Sequence, residues 1–488
     1  MESEGNKSIL KSLDWMTIGL YLILILWGWI SVCGASYDYS NPDILSWDCR
    51  SGKQLVWMVC SIGLGGIILL VEKRFYDTAS YYIYIILMLL LLVTIFIAPD
   101  TKGSRSWIPL GPVKLQPAEF AKFSVALALG RFMNRYGFSI HNLKDFLKCI
   151  GLIVFPMAMI VAQKETGSAL VYLAFFLVLY REGMTGAFLF TAFAMVVYFV
   201  VGVRYSDEFI SEMPVSIGEF SVLLMAFLFT VGMTYVFCKD AKVVKIMLYF
   251  GLGVTVACLL FSAYVIPFNI CYVQLGVNII CIIALLGLVL YNRVLRYLYI
   301  ALFATVSTVF YYTCDYVFDN VLQPHQESRI KVLLGLDDDL SGAGYNVNQA
   351  KIAIGSGGLW GKGFLNGTQT KLKYVPEQDT DFIFCTVGEE EGFVGSSGVL
   401  LVYLFFLLRL LVLAERQPDK MGRVYGYSVM CIFLFHLFIN VGMVLGLTPV
   451  IGIPLPFFSY GGSSLWGFTI LLFIFLRMDA ERNVKQHA

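Results

Sequence analysis

Charge is scarce in this 488-residue chain: Asp, Glu, Lys and Arg make up 14% of it, against 58% apolar residues, and the mean hydropathy is +0.75. A soluble domain usually carries about 25% charge, so the composition excludes a cytosolic globular enzyme and a disordered chain. Histidine is rarer still. His141, His325, His436 and His487 are far apart and form no local ligand motif. The 11 cysteines are scattered and never occur as CxxC, which argues against a metal ribbon or a disulfide framework. There is no basic block, and 35 Lys and Arg against 34 Asp and Glu leave a net charge of +1, so nucleic acid is not an expected partner. The segment Met1 to Asp14 is polar and acidic, unlike a secretory leader, so the first apolar run reads as a retained span.

What is abundant is apolar length. A membrane-spanning helix needs about 20 apolar residues, and fourteen runs approach that length: 15–34, 54–72, 80–98, 117–133, 146–163, 167–180, 184–203, 220–238, 246–267, 271–291, 298–318, 382–408, 424–446 and 464–477. The sixth is short and the twelfth contains polar residues. Helices satisfy their own backbone groups in lipid, so the fold expected is all-α: a polytopic integral membrane bundle of about fourteen transmembrane helices. With the first residues on the cytoplasmic side, 21 of the 35 Lys and Arg fall on that side, and the even span count returns the last residues there. Most of the other 14 fall in two outer segments, near 99–122 and 319–381. A loop as long as 319–381 is usually functional or disordered; its mixture of Gly, aromatic and charged residues argues for order.

Candidate chemistry gathers in those outer segments. The glycines of Ile354-Gly355-Ser356-Gly357-Gly358-Leu359-Trp360-Gly361-Lys362-Gly363 let backbone approach a ligand or another chain segment closely. A phosphate-cradling GxxxxGK[ST] loop is excluded, because the pattern fails at Ser356 and at Gly363. Asp381 is the last acid before Phe382-Ile383-Phe384. A partly desolvated carboxylate there is a better base near neutral pH, and the same position suits a helix cap. Glu389, Glu390 and Glu391 sit either on a solvated helix top or against a cavity or partner. Pro117 suits a first helical turn. Glu119 and Lys122 share a helix face and pair, either structurally or around an anionic head group. Lys114, Arg105 and Arg329 add positive charge able to attract phosphates. The link Pro454–Ser464 reads as tight turn packing.

The strings GSRSWIPLG…KLQPAEFAK, QKETGSALV, GAGYNVNQAKIAIGSGGLWGKG, GTQTKLKYVPEQDTDFIF, VGEEEGFVG and PLPFFSYGGSS, in this order, resemble the SEDS family (shape, elongation, division and sporulation). The GTQ…PE stretch is closer to its rod-shape-determining branch than to its division branch. The resemblance covers nearly all the chain except about 184–291. It implies residues 1–183 and 292–488 as the two parts of a ten-helix membrane core, with 184–291 as four inserted helices and 319–381 as an extracytoplasmic catalytic loop. It implies a peptidoglycan glycosyltransferase of the bacterial cytoplasmic membrane, which polymerises lipid II by joining an undecaprenyl-pyrophosphate-linked glycan to the 4-hydroxyl of a new lipid II. The family's essential aspartate carries over to Asp381. Substrate binding carries over to Lys114, Glu119, Lys122, Arg329, Lys362, Thr368, Gln369, Glu377 and Thr380. The implied cofactor is a divalent cation, Mg or Mn, with no ligands identified and no organic cofactor. The implied partners are a class B penicillin-binding protein, lipid II and membrane lipid. Three positions depart from the family pattern: Ser106 replaces an arginine, Glu165 an aspartate, and Glu391 an apolar residue. A lipid II flippase and a non-catalytic scaffold for wall synthesis are the competing readings.

Overall fold

The computed structural model describes residues 11–37, 43–101, 103–111, 113–210, 214–320, 324–336 and 343–484. The chain forms two compact units: Met1–Met184 with Ser341–Ala488, and Thr185–Leu340. In chain order the first unit begins with α1 (Trp15–Ser36), α2 (Arg50–Leu70), α3 (Lys73–Ile97), the hairpin β1 (Ile108–Leu110) and β2 (Val113–Leu115), α4 (Pro117–Met133), α5 (Leu143–Ala162) and α6 (Thr166–Arg181). The second holds α7 (Gly186–Arg204), α8 (Ile217–Cys238), α9 (Ala241–Tyr264), α10 (Ile270–Asn292), α11 (Leu295–Asn320) and α12 (Pro324–Leu333). The first unit resumes with α13 (Ala343–Gly357), α14 (Ile383–Glu415), α15 (Lys420–Leu445) and α16 (Gly462–Val484). All fourteen apolar runs are helical. Among the described residues twelve helices are long and apolar enough to cross a membrane, α4 and α6 being shorter. The protein is a multi-pass membrane protein.

Local signals set the helix ends. Asp14 caps α1: its carboxylate accepts from the Thr17 amide at 3.0 Å and the Thr17 hydroxyl at 2.6 Å. Burial opposes ionisation there, but hydrogen bonds from Arg409 and Thr17 outweigh it and hold Asp14 at about 2. Pro117 opens α4 at its first turn, and Gly446, with φ 74°, closes α15. Nearly every residue of α4 is buried, because its Ala- and Leu-rich surface packs against α3, α15 and α16. One end of this unit is laced by ion pairs between helix ends: Arg409 with Asp14, Arg416 with Asp479, Lys73 with Asp419, and Arg423 with Glu182 at 2.9 Å. The hairpin and the links 163–165, 358–382 and 446–461 lie at the opposite end.

There α14 breaks at Gly392, whose backbone (φ 68°, ψ −160°) is closed to other residues. The glycine-rich segment after α13 seats in the break. The amides of Lys362 and Gly363 donate to the carbonyls of Glu389 (3.0 Å) and Glu390 (2.9 Å), and the Phe393 and Val394 amides donate to Gly358 (2.9 Å) and Leu359 (3.1 Å). A Cβ on Gly361 would lie 2.1 Å from the Glu390 carbonyl oxygen. The glycines therefore serve close approach to another chain segment.

The second unit contains the four helices of 184–291 together with α11 and α12. Tyr198, Phe227, Leu285 and Ile300 are in its core. A buried polar chain runs from Thr255 to Gln274 (2.6 Å), on to Asn278 (3.4 Å), and to the Leu223 carbonyl (3.0 Å).

Gly392→Ala is expected to lower thermal stability by about 1–3 kcal/mol from backbone strain and to open 357–363 to limited proteolysis, since its Cβ would lie 2.3 Å from the Gly361 nitrogen. Gly253→Ala, which would meet nothing within 4 Å, is expected to change neither readout.

Candidate active site

Asp381 does not cap α14. Phe382 occupies the cap position and makes no side-chain cap hydrogen bond. The preceding turn explains the difference: the Thr380 and Phe382 amides both donate to the Glu377 carbonyl at 3.2 Å, with Glu377 at φ 54°. This folds 377–382 back across the helix start instead of feeding straight into it. The segment is then gripped from several elements. The Asn440 side-chain amide of α15 donates to the carbonyls of Asp381 (2.8 Å) and Ile453 (2.7 Å). The Tyr460 amide donates to the Asp379 carbonyl at 2.9 Å, and Arg50 of α2 pairs with the Asp379 carboxylate. Gly452, at φ 75°, leaves room for the Asp381 carboxylate: a Cβ there would lie 3.2 Å from Oδ2. Burial pushes the Tyr460 phenol above its ordinary range.

The three consecutive glutamates are not a solvated helix top. Glu389 is fully buried and organises the loop. Its Oε1 accepts from Lys362 Nζ (2.7 Å), the Thr368 amide (2.7 Å) and the Gln369 amide (2.8 Å), while Oε2 accepts from the Thr370 amide (2.9 Å) and hydroxyl (2.8 Å). Glu390 is buried against Gly34 of α1. Glu391 takes the Trp27 indole N–H at 2.7 and 2.9 Å. Loop residues expected to bind substrate thus converge on one carboxylate of their own chain: Lys362, Thr368 and Gln369.

Glu119 and Lys122 do pair, at 2.8 Å, with both side chains almost fully buried. Lys122 Nζ also lies 2.9 Å from His436 Nε2 and 4.5 Å from the Phe468 ring centre. His436 Nδ1 faces the Pro454 carbonyl at 3.0 Å. A carbonyl only accepts, so Nδ1 carries the proton and Nε2 accepts from the ammonium. Nearby, Glu165 accepts from Gln116 and from Ser168 (2.8 Å), and burial pushes its carboxyl up.

The other expected residues are spread more widely. Lys114 is exposed on β2, and its carbonyl accepts from Ser463 at 2.7 Å. Glu377 is exposed and Thr380 partly buried beside Asp381 in sequence. Arg329 lies on α12 in the second unit, and its side chain is outside the described residues. Among the described residues, no group of three or more His, Cys, Asp or Glu converges as a metal cage. Arg50, Asn440 and Gly452 stand in none of the sequence motifs, and His436 belongs to no local ligand motif. Asn440 and His436 carried a usable signal, being polar residues inside an apolar helix; Arg50 and Gly452 carried none.

The family described as cell cycle protein (FtsW/RodA/SpoVE) matches residues 14–213 and 224–484. The chain belongs to this family. The FtsW/RodA/SpoVE match runs through most of 184–291, which the sequence motifs left outside the resemblance. Among relatives, the peptidoglycan glycosyltransferase RodA of Treponema pallidum (strain Nichols) is 31% identical over 88% of this chain and 89% of its own length. The peptidoglycan glycosyltransferase MrdB of Escherichia coli (strain K12) is 29% identical over 85% of this chain and 83% of its own. A chain from a peptidoglycan synthase complex, solved in work on coordinated polymerization and crosslinking, has the same fold with TM-score 0.59 and 21% identity, over 96% of this chain and 98% of that one. The crystal structure of Thermus thermophilus RodA matches with TM-score 0.51 and 21% identity, over 96% and 97%.

Glu389→Gln removes the charge that pairs with Lys362 and one of the oxygens that receives loop amides. It is expected to cost about 3 kcal/mol, the scale for breaking a buried ion pair, and to lower the thermal midpoint in detergent. Glu391→Gln keeps a carbonyl oxygen for Trp27 and is expected to shift that midpoint far less.

Proposed function

We propose that this chain is a peptidoglycan glycosyltransferase that polymerises lipid II on the outer face of the bacterial cytoplasmic membrane, during cell elongation and shape maintenance. The observation that carries the reading is the held Asp381 segment: a partly buried carboxylate whose backbone is fixed by Asn440 and whose side chain is given space by Gly452. The acceptor 4-hydroxyl attacks the anomeric carbon of the lipid-linked glycan. Its proton passes to the Asp381 carboxylate as the new C–O bond forms. The bond to the pyrophosphate breaks, the electron pair leaves with undecaprenyl pyrophosphate, and displacement from the opposite face gives the β-1,4 linkage. Exposed Lys114 and its basic neighbours at this end supply positive potential for the pyrophosphate.

A Mg or Mn ion fits this chemistry when one or two carboxylates and the substrate phosphates share its coordination. The described residues provide no all-protein cage. Lys and Arg concentrate at the end opposite Asp381, in ion pairs with helix ends. By the positive-inside rule that end is cytoplasmic, as are both termini. A class B penicillin-binding protein is the proposed partner, in keeping with the synthase complex to which the fold is similar.

The test is lipid II polymerisation by purified protein with its penicillin-binding partner and a divalent cation, with glycan strands read on a gel. Wild type is expected to make polymer, and Asp381→Asn at least about 100-fold less, the scale of a lost general base. Equal polymer from both would remove Asp381 from the chemistry. No polymer from either, with folding and partner binding confirmed, would restore the transport and scaffold readings.

A further inference from the structure

Asp379 stands two residues before Asp381, and its carboxylate is only 5% exposed, whereas Arg50, which pairs with it, is 52% exposed. A buried carboxylate is costly without a partner, so this pair fixes where residue 379 sits. Arg50 is the first residue of α2 and lies outside every motif that carries the family resemblance. Its guanidinium also lies 5.8 Å from the centre of the Tyr460 ring, and the Tyr460 amide holds the Asp379 carbonyl. The next turns of the same α2 face continue the grip. Gln54 accepts from the Gly461 amide at 3.2 Å and donates to the Ser459 carbonyl at 3.5 Å. The Trp57 carbonyl accepts from the Trp466 indole at 3.3 Å, with the two rings 5.4 Å apart. Residues 50, 54 and 57 share one helix face by their spacing. That face aligns the Asp379 segment with the end of the 446–461 link and the start of α16.

We infer that Arg50 is a positioning residue: through its ion pair with Asp379 it sets the placement of the Asp381 carboxylate against the acceptor hydroxyl. This rests on the reading of Asp381 as the base. Arg50 acts through Asp379 and does not itself take part in the proton transfer. Displacing a reacting group by about 1 Å costs roughly 100-fold in rate, so a pair this near the base governs turnover more than substrate affinity.

The test is a double-mutant cycle in the full-length protein with its partner, measuring lipid II polymerisation as kcat and KM and confirming folding by size exclusion. Asp381→Asn runs alongside. Arg50→Ala and Asp379→Asn are each expected to lower kcat by about 10–100-fold, with KM for lipid II within about twofold. The double variant should be no slower than either single one, and the charge-swapped Arg50→Asp/Asp379→Arg should recover part of the rate. If Arg50→Ala fails to fold, the near-isosteric Asp379→Asn and the swap decide the matter. An unchanged kcat, multiplying losses in the double variant, or a loss confined to KM would overturn the inference. The last of these would make Arg50 a direct contact to the substrate. A fully active Asp381→Asn would overturn the base assignment and this inference with it. An inactive Asp381→Asn beside an additive cycle would overturn this inference alone.

Discussion

Glu389 sits where no water reaches it, and a buried carboxylate must have its oxygens satisfied by the chain itself. Much of the loop is arranged to do that. Two backbone turns bring the amides of Thr368, Gln369 and Thr370 to its oxygens, and Lys362 neutralises it. The loop owes its shape to this convergence, since helix α13 ends at Gly357 and the next helix begins only at Ile383. A carboxylate can accept several charge-assisted hydrogen bonds at once, which makes one side chain enough to fold a segment with little apolar area of its own.

The same constraint explains the break in α14. A continuous helix would have no free carbonyls at Glu389 and Glu390 to receive the glycine-rich segment. The positive φ of Gly392 opens them, and the amides of Lys362 and Gly363 fill them. The packing is tight enough that any side chain at Gly361 would collide with backbone. Loop, break and glutamates thus form one interlocked body, and the segment leading to Asp381 leaves it in a fixed direction.

From the other side, the long α2, α15 and α16 bring parts of the chain far apart in sequence to the same place. Arg50, Asn440, Gly452 and Tyr460 all meet the residues 379–381. The buried Glu119–Lys122–His436 group ties α4 to α15, and the Pro454 carbonyl takes the remaining ring nitrogen of His436. It adds a polar link between two helices, whereas apolar contacts in lipid carry little preference for one neighbour over another.

Apolar length and spacing determined from sequence alone that this is a helical membrane bundle, because no other structure without closed strands satisfies a backbone in lipid. Ordered motifs determined the family and pointed to Asp381, and helical spacing determined the pairing of Glu119 with Lys122. Only the tertiary structure decided the rest. Asp381 is not a cap because the Glu377 turn redirects the chain, a feature that depends on what lies beneath it. Lys362, Thr368 and Gln369 gather around Glu389 because an internal carboxylate competes for the same donors that an anionic ligand would use. Arg50 and Gly452 acquire meaning only through residues hundreds of positions away or in another link, since ion pairs and close approaches are set by distance in space. Local pattern fixes which segments are helices; the need to satisfy every buried polar group fixes how the links between them are folded.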